Sequence, residues 1–413
     1  MFIIKLGLRN LFRHKKRTLI TAVIISLAIF IYLIVDSLMV GITELSFTNI
    51  IKLDSGHIQI CRPAYWEERE EVPLKNLINV KTELEKEITG LDNYQSHTVE
   101  LNFSARLNNG IDELPITGLG IKPQEYLEVL KLDDYFIEGS MLDSGEYQAV
   151  MGKALADLMD VKLGDYITLI TRTEGGTFNT IDARIKGLLK TPDPTINEST
   201  VYLPIGIVRQ ALNIENKVSQ LKIRLDTGKH QAPAVVDSLN QKFEKGGLDV
   251  KAYSWKDSAG DVIAMSRAQQ VESSAVLGII LLIAAVGIIN TTILGALERM
   301  EEIGMMKALG MKEKEIVFAF MVEAAGIGII GGLIGWFLSA FGVGYLTQVG
   351  VPLAELGSDF NYGMPIVDTI YGAWSPGNFI FIFVFGVVVA VLSSILPALW
   401  AARKNPVKSI YHR

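Results

Sequence analysis

The chain has 413 residues, 49% of them hydrophobic and 20% charged, with a formal net charge of −6. The length predicts two or three domains, and the acidic balance speaks against nucleic acid as a partner. A mean hydropathy of +0.30 conceals a segregation foreign to a soluble core: between Glu315 and Ala402 there is neither lysine nor arginine, so the chain reads as an α-helical membrane protein.

In chain order, residues 1–17 predict an amphipathic helix at the inner membrane surface. Lys5, Arg9 and Arg13 recur four apart, with Ile4, Leu8, Leu11 and Phe12 elsewhere around the wheel. Such a stripe meets anionic headgroups and equally serves as a topology signal. Residues 18–42 form the first predicted transmembrane helix, since about 20 helical residues cross a hydrocarbon core of about 30 Å. Its apolar run exceeds that of a signal peptide and no small-x-small cleavage site follows, so it is expected to stay as an anchor. Asp36, near its outer end, reads as interfacial.

Residues 43–272 are expected to form a large mixed α/β extracytoplasmic domain, with 35 acidic against 25 basic residues and a solvated surface. Runs rich in β-branched and aromatic residues predict strands at 56–60, 166–171, 180–189, 199–204 and 220–225. Helices are expected at 74–88 and 232–245, and "TRTEGGTFNT" (171–180) predicts a hairpin turn around Gly175 and Gly176. The single cysteine, Cys61, has no partner for an intrachain disulfide.

Three more spans are predicted at 273–297, 317–346 and 378–400, separated by a short charged segment, 298–316, and by a loop, 347–377, that lacks lysine and arginine. Basic residues cluster before the first span (Lys5, Arg9, Arg13, Lys15, Lys16, Arg17), within 298–316 (Arg299, Lys307, Lys312, Lys314) and in the tail 401–413 (Arg403, Lys404, Lys408, Arg413). The positive-inside rule therefore places both termini and 298–316 in the cytoplasm. In the third span, Gly328/Gly332 and Gly331/Gly335 are small-xxx-small pairs that predict close helix packing, within the chain or against a second copy. Glu323, two turns into that span, sits at the interface or makes a polar contact with 298–316.

No catalytic constellation is present. The five histidines are scattered without an HExxH pattern, and Gly152-Lys153 and Gly228-Lys229 are not followed by serine or threonine, so there is no phosphate loop. The chain is expected to be non-catalytic, with no metal site and no cofactor of its own.

The order of one span, a large domain and three spans resembles the permeases of the MacB, lipoprotein-release and FtsX superfamily of ABC transporters. The resemblance is carried by "GLRNLFRHKKRTLIT" (7–21), "VMGKALADLMDVKLGDYITL" (150–169), "STVYLPIGIVRQAL" (199–212), "LPALWAARKNPVKSI" (396–410) and above all "EIGMMKALG" (302–310). It implies a MacB-type periplasmic core between the first two helices, and a coupling element at 298–316. There Glu302, Ile303, Gly304, Met306, Ala308 and Gly310 would meet a separate ABC ATPase dimer that carries the ATP and magnesium. Ile303, Met306 and Gly310 are expected to form an apolar knob with a polar rim, and Gly310 to end the helix in a left-handed turn.

The resemblance further implies a bacterial inner-membrane location, a second permease, identical or paralogous, and mechanotransmission instead of passage through a pore. The leading function is extraction of lipoproteins from the outer leaflet for delivery to a periplasmic carrier. The alternatives are MacB-like export of peptides or drugs and FtsX-like regulation of cell-wall hydrolases. Family members that bind the carrier have a long protruding hairpin loop, whereas residues 171–180 are short, so the resemblance does not extend to direct carrier recruitment. For a lipid-anchored substrate, Leu33, Val35, Leu38 and Met39 with Val276, Leu277 and Ile280 are expected to line the acyl-chain route or to face lipid.

Overall fold

The computed structural model describes residues 2–13, 15–80, 82–226, 229, 231–352 and 369–404. Four of its helices are long and apolar enough to cross a membrane. They are Lys15–Ile50, Gly260–Glu298, Glu313–Val349 and Pro376–Ala402. The first two run past their apolar segments: the first continues through a π-helical turn at Ile51–Ser55, and the second starts at Gly260. The chain forms two compact units, with Leu45–Met265 as the core of one and the rest of the long helices in the other.

In the helical unit the third span is the central element, because its glycines let three helices approach. A Cβ on Gly331 would lie 2.7 Å from the Ala22 carbonyl oxygen and one on Gly335 2.8 Å from that of Ser26, both on the first span. On the other side, a Cβ on Gly328 would meet the Ala390 Cβ at 3.1 Å and one on Gly332 the Phe383 ring at 2.9 Å, both on the fourth. The two small-xxx-small pairs thus face two different helices of the same chain. Ile25, Ile29, Leu33, Leu281, Ile288 and Ile382 fill the space between. Phe337, Phe341, Ile380 and Leu396 stay exposed, as an apolar exterior in lipid requires.

The N-terminal helix, Phe2–Arg13, is seated on the third span. Leu11 is buried beneath Gly326, and a Cβ on Gly7 would lie 2.9 Å from the Ala319 carbonyl oxygen. Gly7 and Leu11, four apart, make a face that packs on protein, while Lys5, Arg9 and Arg13 remain exposed.

The second unit is built on a ten-stranded mixed sheet. Its order runs from Lys251–Ser254 through Ile58–Cys61, Gln220–Leu225, Tyr94–Asn108, Glu113–Ile121, Thr200–Pro204, Gln148–Gly152 and Phe178–Leu189 to Phe136–Gly139. Tyr166–Arg172 joins off this path, paired with Tyr94–Asn108 and Phe178–Leu189. Two pairings are parallel, Glu113–Ile121 with Thr200–Pro204 and Gln148–Gly152 with Phe178–Leu189. The longest strand, Tyr94–Asn108, lies outside the sequence expectation. It places Phe103 opposite Gly118, where a Cβ would come within 2.2 Å of the ring, so the aromatic fills the glycine's missing side chain.

The helix expected over 74–88 is corrected to Thr82–Thr89. Asn76 has φ +60°, which interrupts helix, and Ile78–Asn79 pairs instead with Lys217–Val218. The Tyr166–Arg172/Phe178–Leu189 hairpin closes in a tight turn: Thr173 N donates to Thr177 O at 2.8 Å, and Gly176 takes φ +83°.

One charged pair lies inside this unit. Lys222 Nζ is 2.6 Å from Glu100 Oε2, and Gln220 Nε2 donates to the same oxygen at 2.7 Å. Burial pushes the Lys222 ammonium down, but Glu100 and Asp54 more than reverse this and hold it above the usual lysine value. Asp54, on the π-helical turn, stands 3.8 Å from Lys222. The free Cys61 is buried on the strand next to the sheet edge, and burial pushes its thiol up to about 12. Since the thiolate is the nucleophile, Cys61 should resist maleimide at neutral pH in the folded protein and label fully after denaturation; rapid stoichiometric labelling of the native chain would contradict this packing.

Candidate functional site

At the basic end of the helical unit, charges from the first span, the third span and the turn after the second converge. Glu323 of the third span accepts from Arg299 Nη2 at 2.8 and 3.1 Å and is also bonded by Arg17, at the start of the first span. The side chains of Arg299 and Glu323 are each only 6% exposed. Arg17 reaches the carboxylate beside Gly295 of the second span, where a Cβ would fall 1.5 Å from Arg17 Nη1. Only glycine leaves that passage open. Thr21 Oγ1, one turn along the first span, donates to Thr291 Oγ1 of the second at 3.2 Å. Of the two readings open for Glu323, the structure shows the polar contact with segment 298–316.

Arg299 immediately precedes a short helix, Met300–Ala308. Ile303 and Gly304 of this helix are buried, Ile303 in a cluster with Ala296, Ile316, Phe320 and Ala398. Lys307 Nζ donates to the carbonyls of Ala402 (2.7 Å) and Lys404 (3.0 Å), at the C-terminal end of the fourth span where a cation is favoured. The helix ends as Gly310 turns left-handed at φ +93°, with Met311 N bonded to Met306 O and Gly310 N to Lys307 O. This is a Schellman closure.

The expected knob of Ile303, Met306 and Gly310 is thereby corrected. Ile303 is buried against the spans and Met306 is half-buried against the same cluster, while Gly310 stays exposed. What the helix exposes is Met305, Ala308 and Leu309, the last 89% exposed. Glu302 is partly exposed and pairs with Arg13 of the N-terminal helix at 2.8 Å.

At the opposite end, Asp36 is buried, in contrast to the interfacial reading. It accepts from Asn378 Nδ2 (2.8 and 2.9 Å) and from Ser375 Oγ (2.7 Å), which ties the first span to the start of the fourth. Ser37 and Ala373 exchange hydrogen bonds of 3.0 Å beside it. Next to this anchor is an open cleft of about 470 Å³ between the first and second spans. Tyr32, Met39, Val40 and Phe381 are its apolar or aromatic lining, and its polar lining includes Gln269, Gln270, Ser273 and Ser274 with the carboxylates Asp36 and Glu44.

Of the expected acyl-chain residues, Met39 lines this cleft. Leu33 and Leu277 are instead buried in the helix-packing core. Val35 and Val276 are exposed on the exterior, and Leu38 and Ile280 are half-buried. Among the described residues no cluster of histidine, cysteine, aspartate or glutamate could hold a metal ion.

A chain of four spans with a mixed-sheet domain between the first two defines a class of multi-pass permeases, and comparison with known proteins gives the family. Residues 18–242 match the MacB-like periplasmic core domain and residues 274–406 the FtsX-like permease C-terminal domain. The chain belongs to the MacB- and FtsX-type ABC transporter permeases, membrane proteins with an extracytoplasmic domain. An uncharacterised ABC transporter permease of Methanocaldococcus jannaschii is 25% identical, over 99% of this chain and 97% of its own. The macrolide export ATP-binding/permease protein MacB of Pasteurella multocida is 22% identical over 98% of this chain, which spans only 59% of that protein. The lipoprotein-releasing system transmembrane protein LolC of Neisseria meningitidis is 23% identical over 52% of this chain and 53% of its own. The crystal structure of the periplasmic region of MacB from Actinobacillus actinomycetemcomitans is similar at 15% identity and TM-score 0.36, covering 52% of this chain and 96% of that one.

Replacing Asp36 by alanine removes the acceptor for Ser375 and Asn378. Donors left unpaired in this setting cost about 2 kcal/mol, so the thermal midpoint of Asp36→Ala in detergent should fall by several degrees; an unchanged midpoint would show that the anchor contributes nothing to stability.

Proposed function

We propose that this chain is the permease subunit of a mechanotransmission ABC transporter that extracts lipoproteins from the outer leaflet of a bacterial inner membrane. Both termini and segment 298–316 lie in the cytoplasm, by the distribution of lysine and arginine. There the exposed Met305, Ala308 and Leu309 dock on a separate ABC ATPase dimer, which holds the ATP and magnesium. A second permease, identical or paralogous, completes the complex, and ATP-driven closure moves the extracytoplasmic domain.

The observation that carries the substrate reading is the cleft beside Asp36. Its apolar side suits the root of an acyl chain, and its glutamines and serines suit the polypeptide that follows a lipid anchor. Both kinds of surface are needed where a lipoprotein leaves the bilayer. The tight turn at 173–177 argues against this chain recruiting a periplasmic carrier directly. A second reading, MacB-like export of peptides or drugs, is favoured by one observation: the MacB match spans 98% of this chain and the LolC match 52%.

Photocrosslinking from two positions tests both ends of the reading. In the functional complex, a probe at Gln270 should capture lipoprotein and a probe at Leu309 the ATPase. Capture of phospholipid or small peptides but never lipoprotein at Gln270 would favour export, and absence of ATPase at Leu309 would sink the docking assignment.

A further inference from the structure

The basic end of the helical unit holds a second cleft, of about 470 Å³, between the N-terminal helix, the short helix Met300–Ala308 and the third span. Its floor is apolar, made by Ile303, Met306, Ile316 and Phe320 together with Met305 and Leu309 of the proposed docking surface. Arg9, Arg13 and Arg299 line it with two carboxylates, Glu302, which pairs with Arg13, and Glu323. Glu323 is already shared between Arg299 and Arg17, so the buried triad carries one positive charge more than it can neutralise. Glu298 is the further acidic group in electrostatic range of Arg17, and it is exposed.

One donor of a residue that lines the cleft, Arg299 Nε, is buried without a hydrogen-bond partner. Buried guanidinium donors without acceptors are unfavourable, and an excess of cationic donors over an apolar floor calls for an amphiphilic anion. We propose that this cleft binds one anionic phospholipid, with its headgroup phosphate among Arg9, Arg13 and Arg299 and the first part of an acyl chain on the floor.

A lipid is favoured over an acidic peptide for two reasons. The cleft lies at the first turns of the third span, level with the amphipathic N-terminal helix, which is where the leaflet's phosphates lie. Its apolar side chains also offer no polar partners, whereas a peptide would bring backbone groups that they cannot pair. The inference rests on the inner placement of the N-terminal helix proposed above and not on the identity of the substrate.

Native mass spectrometry of the full-length chain in detergent, without ATPase or substrate, tests it separately from the transport reading. Phosphatidylglycerol, added at matched chain length against phosphatidylcholine, should be retained at one molecule per chain. Arg9 is exposed and dispensable for packing, so Arg9→Gln should fold normally and weaken that retention about fivefold, while Arg9→Lys should keep it. Equal retention of both lipids, no effect of Arg9→Gln, displacement by inorganic phosphate alone, or capture of an added ATPase in place of lipid from a photoprobe at Asn10 would each overturn the proposal.

Discussion

A carboxylate inside an apolar helix bundle is unfavourable unless its charge is met at once, and Glu323 is met twice. Arg299 brings in the junction between the second span and the short helix Met300–Ala308, and Arg17 brings in the start of the first span. Removing one partner from such a buried group costs about 3–5 kcal/mol, because the charge left behind has no water to turn to. The pairing therefore acts less as a source of net stability than as a geometric lock. The first span, the third span and the junction before the short helix have one arrangement in which the carboxylate meets both guanidiniums.

The surrounding sequence is consistent with that lock. Gly295 leaves the passage through which Arg17 reaches the carboxylate, and Gly331 and Gly335 bring the third span flush against the first. Ile303 seats the short helix on the spans, and Lys307 fastens its far end to the last carbonyls of the fourth. At the opposite end of the bundle Asp36 holds the first span to the fourth. The docking surface proposed at Met305, Ala308 and Leu309 would thus be mounted on an element tied to the spans, as transmission of a push or pull requires.

Much of this was legible in the chain, and the parts that were not share a cause. The spans, the inserted domain and strands such as Gln220–Leu225 follow from local composition and period. The strand Tyr94–Asn108 carries a readable alternation in Val99, Leu101, Phe103, Ala105 and Leu107. Its first half hides this, because Ser96, Thr98 and Glu100 on the other face are buried too and read as loop. Glu323 stands out in sequence as an ionisable residue within a span, but its partners lie 306 and 24 positions away and look like topology signals. Helical period groups Ile303 with Met306 and Gly310; which side then faces the spans is decided by Ile316, Phe320 and Ala398, residues far along the chain.

Hydrogen exchange of the intact protein in nanodiscs, comparing the wild type with Glu323→Gln, tests the lock most directly. A glutamine cannot neutralise two guanidiniums, so amides of Met300–Ala308 and of the first turn at Lys15–Thr18 should exchange faster, while strands such as Gln220–Leu225 stay protected. Unchanged protection at both places in Glu323→Gln would contradict the claim that this carboxylate ties the short helix to the spans.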